Sequence, residues 1–186
     1  MSYVTKPLGS NTTVLGGGAL RVWVRSSRPS VDLQATISEV RPDGKETFVQ
    51  SGWVRGNERK LDAGASTPLE PVLSLRRRDV RRLPRKRFAK VVVPLYYQGH
   101  AYRAGSRIRV TISAPNGDQP IWAFGETSPK KRAKIQIARS KHRASNLLLP
   151  VVGVPVSTGL PPCPGLRGEP CRDYRRYKNR AAVRMR

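Results

Sequence analysis

Residues 19–25 read Ala-Leu-Arg-Val-Trp-Val-Arg, a stretch in which apolar side chains recur at every second position. Leu20, Val22 and Val24 fall on one face with the two-residue period of a half-buried β-strand, and Trp23 falls on the opposite face. This stretch predicts a strand with one buried side, and its period is incompatible with an amphipathic helix.

The residues that follow predict a β-hairpin. Residues 31–40 alternate in the same way, with the apolar side chains and Glu39 on one face. The turn at residues 41–44 reads Arg-Pro-Asp-Gly, in which proline presets φ and glycine tolerates a positive φ. We therefore expect residues 31–40 to pair with residues 45–51, and we expect residues 52–71, where the period weakens, to form a loop.

Further strands are predicted along the rest of the chain. Their periods or apolar runs cover residues 88–97, 107–113, 121–124, 133–138 and 146–152. Pro94 restricts its strand to a sheet edge or a bulge, because proline has no backbone N–H to donate. No helix long enough to connect parallel strands is evident, and the chain is rich in turn formers, with 16 Gly and 16 Pro. The predicted fold class is all-β, with an antiparallel β-sandwich or jelly roll as the architecture.

The length of 186 residues suits one domain. We expect residues 1–18, which end in Leu-Gly-Gly-Gly, to be a flexible entry, residues 19–155 to be the sandwich, and residues 156–186 to be a Pro/Gly loop followed by a basic tail. Neither a signal-peptide pattern nor the roughly 18 apolar residues of a membrane span is present. The sequence therefore predicts no membrane partner. It contains no signal that indicates a compartment, so the cytoplasm is the default expectation.

Several blocks of the predicted sandwich resemble a known domain. They are residues 20–27 (LRVWVRSS), 31–33 (VDL), 39–44 (EVRPDG), 53–55 (WVR), 102–113 (YRAGSRIRVTIS), 150–152 (PVV) and 160–164 (LPPCP). Together they are similar to the C-terminal non-catalytic domain of X-Pro dipeptidyl-peptidase and cocaine esterase-like (CocE/NonD) serine hydrolases. The resemblance implies a jelly-roll sandwich, galactose-binding-like in topology, that packs on an α/β-hydrolase domain and shapes the entrance to its active site.

Hydrolase chemistry itself is not predicted within this chain. Residues 64–68 read Gly-Ala-Ser-Thr-Pro and lack the final glycine of a Gly-x-Ser-x-Gly nucleophile elbow. No carboxylate or nucleophile lies at a sequence spacing that would link it to His100 or His142. We therefore expect both histidines to be surface imidazoles rather than a catalytic base. We predict no catalytic residue, no metal and no cofactor, and any hydrolase activity requires a separate catalytic domain.

Three residues are the domain-docking candidates. By resemblance the segment around residues 53–59 lies near the catalytic domain, which selects Trp53, Arg55 and Arg59. Arginine suits this role because its planar fork matches a carboxylate or a carbonyl pair. The alternative is a solvated loop with Trp53 inserted into the core.

The charge distribution supports a second hypothesis. The formal net charge is +24, of which residues 1–75 contribute +2 and residues 76–186 contribute +22. Such a surface neutralises phosphates in a salt-sensitive, sequence-tolerant way, so a nonspecific polyanion or nucleic-acid-binding protein is the alternative function. The polyanion-binding candidates are Arg76, Arg77, Arg78, Arg81, Arg82, Arg85, Lys86, Arg87, Lys130, Lys131 and Arg132. No helix-turn-helix, zinc-finger or RNA-binding strand motif accompanies them.

Cys163 and Cys171 are the two cysteines of the chain. Two cysteines are too few for a four-ligand zinc site. They form either a local disulfide or two free thiols, and the sequence leaves both readings open.

Overall fold

The structure, a computed structural model, describes residues 1–115, 133–153, 155, 159–163, 165–166 and 169–177. In this part of the chain the secondary structure is almost entirely strand, as predicted. The strands are β1 (Ser2–Val4), β2 (Thr12–Ser26), β3 (Asp32–Val40), β4 (Lys45–Arg55), β5 (Ala89–Tyr102), β6 (Arg107–Ser113), β7 (Ile135–Ile137), β8 (Asn146–Leu148), β9 (Val151–Val152), β10 (Gly165–Leu166), β11 (Glu169–Pro170) and β12 (Arg172–Asp173). Three single 3₁₀ turns cover Gly56–Glu58, Arg77–Asp79 and Lys141–Arg143. The predicted strand at residues 121–124 lies outside the described residues.

The strands form two sheets with antiparallel pairing throughout. The first sheet has the order β1-β6-β3-β4-β12. The second is built on the long strand β2, which pairs with β5 along one side and with β7, β8 and β9 along the other. β10 and β11 form a separate pair. The antiparallel β-sandwich is confirmed, while the jelly-roll, galactose-binding-like connectivity stays a prediction.

The core lies between the two sheets and contains the predicted face of β2. Leu20, Val22 and Val24 are at most 4% exposed and pack in one cluster with apolar residues of the other strands. Val91 and Val93 of β5 join them from the same sheet, and the residues that face them from the first sheet are Leu33, Ala35, Ile37, Val110 and Ile112. Each fully buried Val, Leu or Ile side chain contributes about 1.5–3 kcal/mol relative to its exposed state, so this cluster is the main stabilising element.

The predicted hairpin is confirmed and is longer than expected. The turn is closed by the bonds Arg41 N–H to Lys45 O (2.8 Å) and Gly44 N–H to Arg41 O (3.1 Å). β4 runs to Arg55, so the prediction of a loop from residue 52 is wrong for residues 52–55. Gly52 interrupts the alternation of apolar and polar side chains because β4 and β5 approach each other closely at this position. A Cβ there would lie 1.8 Å from the carbonyl oxygen of Pro94. β5 is an edge strand of the second sheet, as Pro94 requires.

The flexible entry predicted for residues 1–18 is wrong. β1 pairs with β6, with Ser2 opposite Thr111, and residues 12–18 belong to β2. Gly16 has a φ of +125° and sits where the β2–β5 register shifts. The glycine run therefore makes a β-bulge inside the sheet, and a sequence pattern cannot tell this use of glycine from flexibility.

The predicted basic tail at residues 156–186 is partly built into the sandwich. β12 extends the first sheet, with Arg172 opposite Glu46, and Tyr174 N–H donates to Gly44 O at 2.9 Å. A disulfide joins Cys163 to Cys171, whose Cα atoms are 5.6 Å apart. We call residues 171–174 the C-terminal strap, because they run along the edge of β4 and place the Tyr174 ring over Arg109 of β6.

Candidate functional site

An aromatic patch lies where β4 of one sheet runs beside β5 of the other. Trp53 projects from β4 and Tyr96 from β5, and their rings are tilted by 59° with centroids 5.4 Å apart. Trp53 is half-buried, whereas Tyr96 is 54% and Tyr97 69% exposed. We define the aromatic patch as these three residues. It is an apolar surface with polar ends, of the kind that protein interfaces bury.

The local backbone explains why both tyrosines face outward. Side chains of a regular strand alternate between faces, so two consecutive residues are not both expected at the surface. The β-bulge between Gly16 and Gly18 sets Tyr96 and Tyr97 of β5 against a single residue of β2. The extra residue leaves the alternation and turns both rings away from the core.

Tyr97 is held in place at both ends. Its carbonyl oxygen accepts a bond from Gln50 Nε2 at 2.7 Å, and its hydroxyl donates to Glu70 Oε1 at 3.0 Å. The bond to the Glu70 carboxylate raises the pKa of Tyr97 above its ordinary value, so the hydroxyl stays a donor at neutral pH. The patch thus has a fixed polar rim on the side of the loop that carries Glu70.

The two arginine candidates are engaged within the domain. Arg55 forms a forked pair with Asp32 across β3 and β4, with distances of 2.9 and 3.3 Å, and this bonding raises the pKa of Arg55. Arg59 Nη1 donates to Gly56 O at 2.9 Å and Arg81 O at 2.6 Å, and burial lowers its pKa. Both guanidinium groups brace the start of the β4–β5 loop. Docking by Trp53, Arg55 and Arg59 stays a prediction, and the geometry favours Trp53 as the contact residue.

The predicted basic run is an exposed connection, as expected. Arg77, Arg78, Arg81, Arg82, Arg85, Lys86 and Arg87 are exposed, and Arg76 is bonded to Asp62 at 2.8 Å. Lys130, Lys131 and Arg132 lie outside the described residues. One candidate is therefore paired with an acid, and polyanion binding by the others stays a prediction.

A serine, a histidine and a glutamate meet in the interior, but in the wrong order for acyl transfer. Ser106 Oγ donates to Glu39 Oε1 at 2.6 Å, and His100 Nε2 bonds Glu39 Oε2 at 2.8 Å. In a catalytic triad the histidine stands between the serine and the carboxylate, whereas here the carboxylate is in the middle. Ser106 is fully buried, so its hydroxyl is out of reach of a substrate. The expectation that His100 is a surface imidazole is wrong, because its ring turns inward to Glu39.

Glu39 is kept ionised by its neighbours. Burial acts to raise the pKa of this carboxyl, but the hydrogen bonds from His100 and Ser106 outweigh burial and hold the pKa below its ordinary value. The cluster ties β3 to β5 and to the start of β6. Its role is to satisfy a buried charge between the sheets, which is a structural function.

The described ranges contain neither a metal cluster nor a membrane-spanning helix. No group of three or more His, Cys, Asp or Glu side chains is placed to hold a metal ion there. In the same ranges, no helix has both the length and the apolar character needed to span a bilayer.

Comparison with known families decides the classification. A family model described as the X-Pro dipeptidyl-peptidase C-terminal non-catalytic domain matches residues 1–146. The chain belongs to this family. The matched range of this C-terminal domain includes residues 1–18, in agreement with the strands found there. None of the curated proteins compared with the sequence matches it.

Solved structures share the fold of this C-terminal domain. A CocE/NonD family hydrolase from Staphylococcus aureus superposes with a TM-score of 0.66 at 21% identity, over 82% of this chain and 30% of that chain. An aminopeptidase from a marine sediment Thaumarchaeota archaeon has a TM-score of 0.61 at 17% identity, over 82% and 26%. An α-amino acid ester hydrolase has a TM-score of 0.61 at 18% identity, over 82% and 25%. The chain thus spans less than a third of the length of each neighbour.

Sequence reasoning missed part of the surface of this C-terminal domain. It named Trp53 but did not single out Tyr96 or Tyr97. The available signal was the pair of adjacent tyrosines in a strand next to Pro94, because alternation cannot bury both rings. It also did not single out Arg109, which lies on the outer face of β6 and yet is only 8% exposed, beneath the C-terminal strap.

Proposed function

We propose that this X-Pro dipeptidyl-peptidase C-terminal domain is a non-catalytic accessory module that packs on an α/β-hydrolase catalytic domain through its aromatic patch. The observation that carries the proposal is the patch itself, in which Tyr96 and Tyr97 expose 54% and 69% of their surface beside Trp53. Tyr and Trp are enriched at interface hot spots, because they combine a large apolar area with a polar group.

Family membership supports the nature of the partner. The solved CocE/NonD hydrolase is matched over 30% of its length, so most of that protein lies outside the shared domain. In an arrangement of this kind the non-catalytic domain supplies a surface and the catalytic residues belong to the other part. The buried Glu39 cluster is consistent with this division, because it has no accessible nucleophile.

The loop between β4 and β5 supports a role in shaping the entrance to the partner's active site. Its backbone is braced by the bonds Asp62 N–H to Val72 O and Ser74 N–H to Lys60 O, both 2.8 Å. Glu70, on the same loop, bonds the hydroxyl of Tyr97. When the aromatic patch is covered by a catalytic domain, this braced loop stands at the rim of the contact and can form one wall of a cleft.

A binding titration tests the docking surface. The α/β-hydrolase part that is encoded with or next to this domain is produced separately and titrated with the domain. We expect a one-to-one complex, and we expect Tyr96→Ala and Tyr97→Ala each to weaken it at least about tenfold, since hot-spot losses of about 2 kcal/mol exceed the roughly 1.4 kcal/mol that corresponds to tenfold.

A matched control separates the patch from exposed apolar surface in general. Leu15 on β2 is 59% exposed, comparable to the two tyrosines, and lies outside the patch. Leu15→Ala is expected to leave binding within about twofold, as peripheral contacts do. Equal losses from Leu15→Ala and Tyr96→Ala, or the absence of any complex, contradict docking through this surface.

A further inference from the structure

A pocket rich in arginine lies at the end of the sandwich where β2 gives way to the turn before β3. Its volume is about 340 Å³, and Arg28, Arg82 and Arg85 line it together with Ser26 and Ser27. We call it the arginine pocket. It is separate from the aromatic patch, and neither the family assignment nor the docking proposal accounts for it.

The framework of the arginine pocket is fixed on both sides. On one side, Ser27 N–H donates to Lys134 O at 3.0 Å and Ser27 Oγ accepts from Lys134 N–H at 2.9 Å, which joins the turn to the chain before β7. On the other side, Leu83 is 5% exposed in the core and its N–H donates to Pro29 O at 2.7 Å. The backbone that carries Arg82 is therefore held against the turn that carries Arg28.

No acidic side chain of the described residues neutralises the charge of the arginine pocket. Arg41, Arg55, Arg76 and Arg109 each form a salt bridge to Asp or Glu, but in the described part of the chain Arg28, Arg82 and Arg85 form none. No acidic residue lines the pocket in that part either. Like charges that share one cavity repel each other, so a bound anion relieves this repulsion.

The geometry points to a small phosphate-bearing ligand, and we propose that the arginine pocket binds a phosphate monoester. Arginine forks match phosphate oxygens in pairs, and the serine hydroxyls add neutral hydrogen-bonding groups. A terminal phosphate carries about −1.5 to −2 charges at neutral pH, which suits three cations in one cavity better than the single charge of a diester. The volume of about 340 Å³ lies at the lower end of small-molecule sites and leaves room for a small organic group beside the phosphate.

Titration of the whole chain with inorganic phosphate and with phenyl phosphate, at constant ionic strength, tests this proposal. The readouts are calorimetric affinity and the NMR shifts of the arginine Nε–H groups. We expect saturable one-to-one binding of both probes that weakens at least tenfold in Arg28→Gln and in Arg82→Gln. The control Arg77→Gln/Arg78→Gln removes two exposed charges from outside the pocket and is expected to change the affinity less than twofold.

Two further measurements keep the proposal open to refutation. Arg82→Lys keeps the positive charge but loses the planar guanidinium fork. We expect this variant to bind the probes more weakly than the unchanged chain and more tightly than Arg82→Gln. Intermediate binding by Arg82→Lys also shows that the loss in Arg82→Gln does not come from misfolding. A single-stranded oligonucleotide is expected to compete poorly with phenyl phosphate. The proposal is overturned if neither probe saturates, if the control weakens binding as much as Arg82→Gln, or if the oligonucleotide binds more tightly than phenyl phosphate with no loss in the pocket variants. None of these outcomes bears on docking through the aromatic patch.

Discussion

The ion pair between Arg109 and Glu46 offers a direct test of how the ends of the chain close the first sheet. Arg109 Nη1 lies 2.6 Å from Glu46 Oε2, and the two side chains are 9% and 3% exposed. Arg109 Nε donates to Ser2 Oγ at 2.7 Å, and Ser38 Oγ donates to Glu46 Oε1 at 2.6 Å. The pair is therefore buried, hydrogen-bonded and shared among β1, β3, β4 and β6.

Arg109→Met leaves the Glu46 carboxylate buried without its main partner. Removing one member of a buried pair costs about 3–5 kcal/mol. Arg172 of the C-terminal strap lies 3.5 Å from the same oxygen, but its side chain is 65% exposed, so it compensates weakly. We expect a loss near the lower end, about 3 kcal/mol, which corresponds to a fall in Tm of roughly 6–12 °C for a domain of this size.

Urea unfolding followed by tryptophan fluorescence measures this loss. The matched control is Arg107→Met, which removes an exposed arginine from the same strand, where Arg107 Nη1 bonds the Thr5 carbonyl oxygen at 3.4 Å. The control is expected to change the free energy of unfolding by less than about 0.5 kcal/mol. In a double-mutant cycle, Glu46→Gln combined with Arg109→Met should show a coupling of about 1–3 kcal/mol. Equal costs for Arg107→Met and Arg109→Met, with no coupling to Glu46, refute the reasoning.

Two further predictions concern the interior between the sheets. Gly52→Ala is expected to cost about 3 kcal/mol in urea unfolding, because overpacking here acts against backbone and not against a side chain that can move. Its Cβ would lie 1.8 Å from Pro94 O, whereas Gly9→Ala meets no heavy atom within 4 Å and should be neutral, and equal costs would contradict the close approach. Glu39 has a lowered pKa, so its bonds stabilise the fold above the unfolded-state value of about 4.3 and are lost as the pH falls through the lower folded-state pKa. The gap in unfolding free energy between the unchanged chain and Glu39→Gln should therefore be largest at neutral pH and narrow in acid, and a gap that stays constant from neutral pH into acid would show that these hydrogen bonds do not lower the pKa of Glu39.

The positive charge has a clearer meaning once the ion pairs are known. In the described part of the chain, four acidic side chains, Asp32, Asp43, Glu46 and Asp62, are paired with arginines that brace turns and strands. These four acids are thus committed to the framework, and the other arginines of the described ranges are exposed or half-buried. Incidental attraction of polyanions at low salt follows from this surface, independently of any selected function.

The main hairpin, the central strands and the class of the fold were predictable from the amino-acid sequence. The alternation in residues 19–25 and 107–113 and the Pro-Asp-Gly turn reappear in the structure, because side-chain period and turn chemistry are properties of adjacent residues. Trp53 was identified as a candidate contact by family resemblance, since its segment belongs to a recognisable block.

Which of these elements form a site depends on contacts between residues that are distant in the sequence. Tyr96 and Tyr97 form a surface with Trp53 because a bulge between Gly16 and Gly18, far away in the sequence, disturbs their strand. Arg109 is buried because Glu46 and the C-terminal strap meet it, and Arg28 and Arg82 share a pocket because Leu83 bonds to Pro29. Each of these contacts joins residues tens of positions apart, and it depends on which strands become neighbours. Local periodicity carries no information about that choice, because it is made by the packing of the two sheets as a whole.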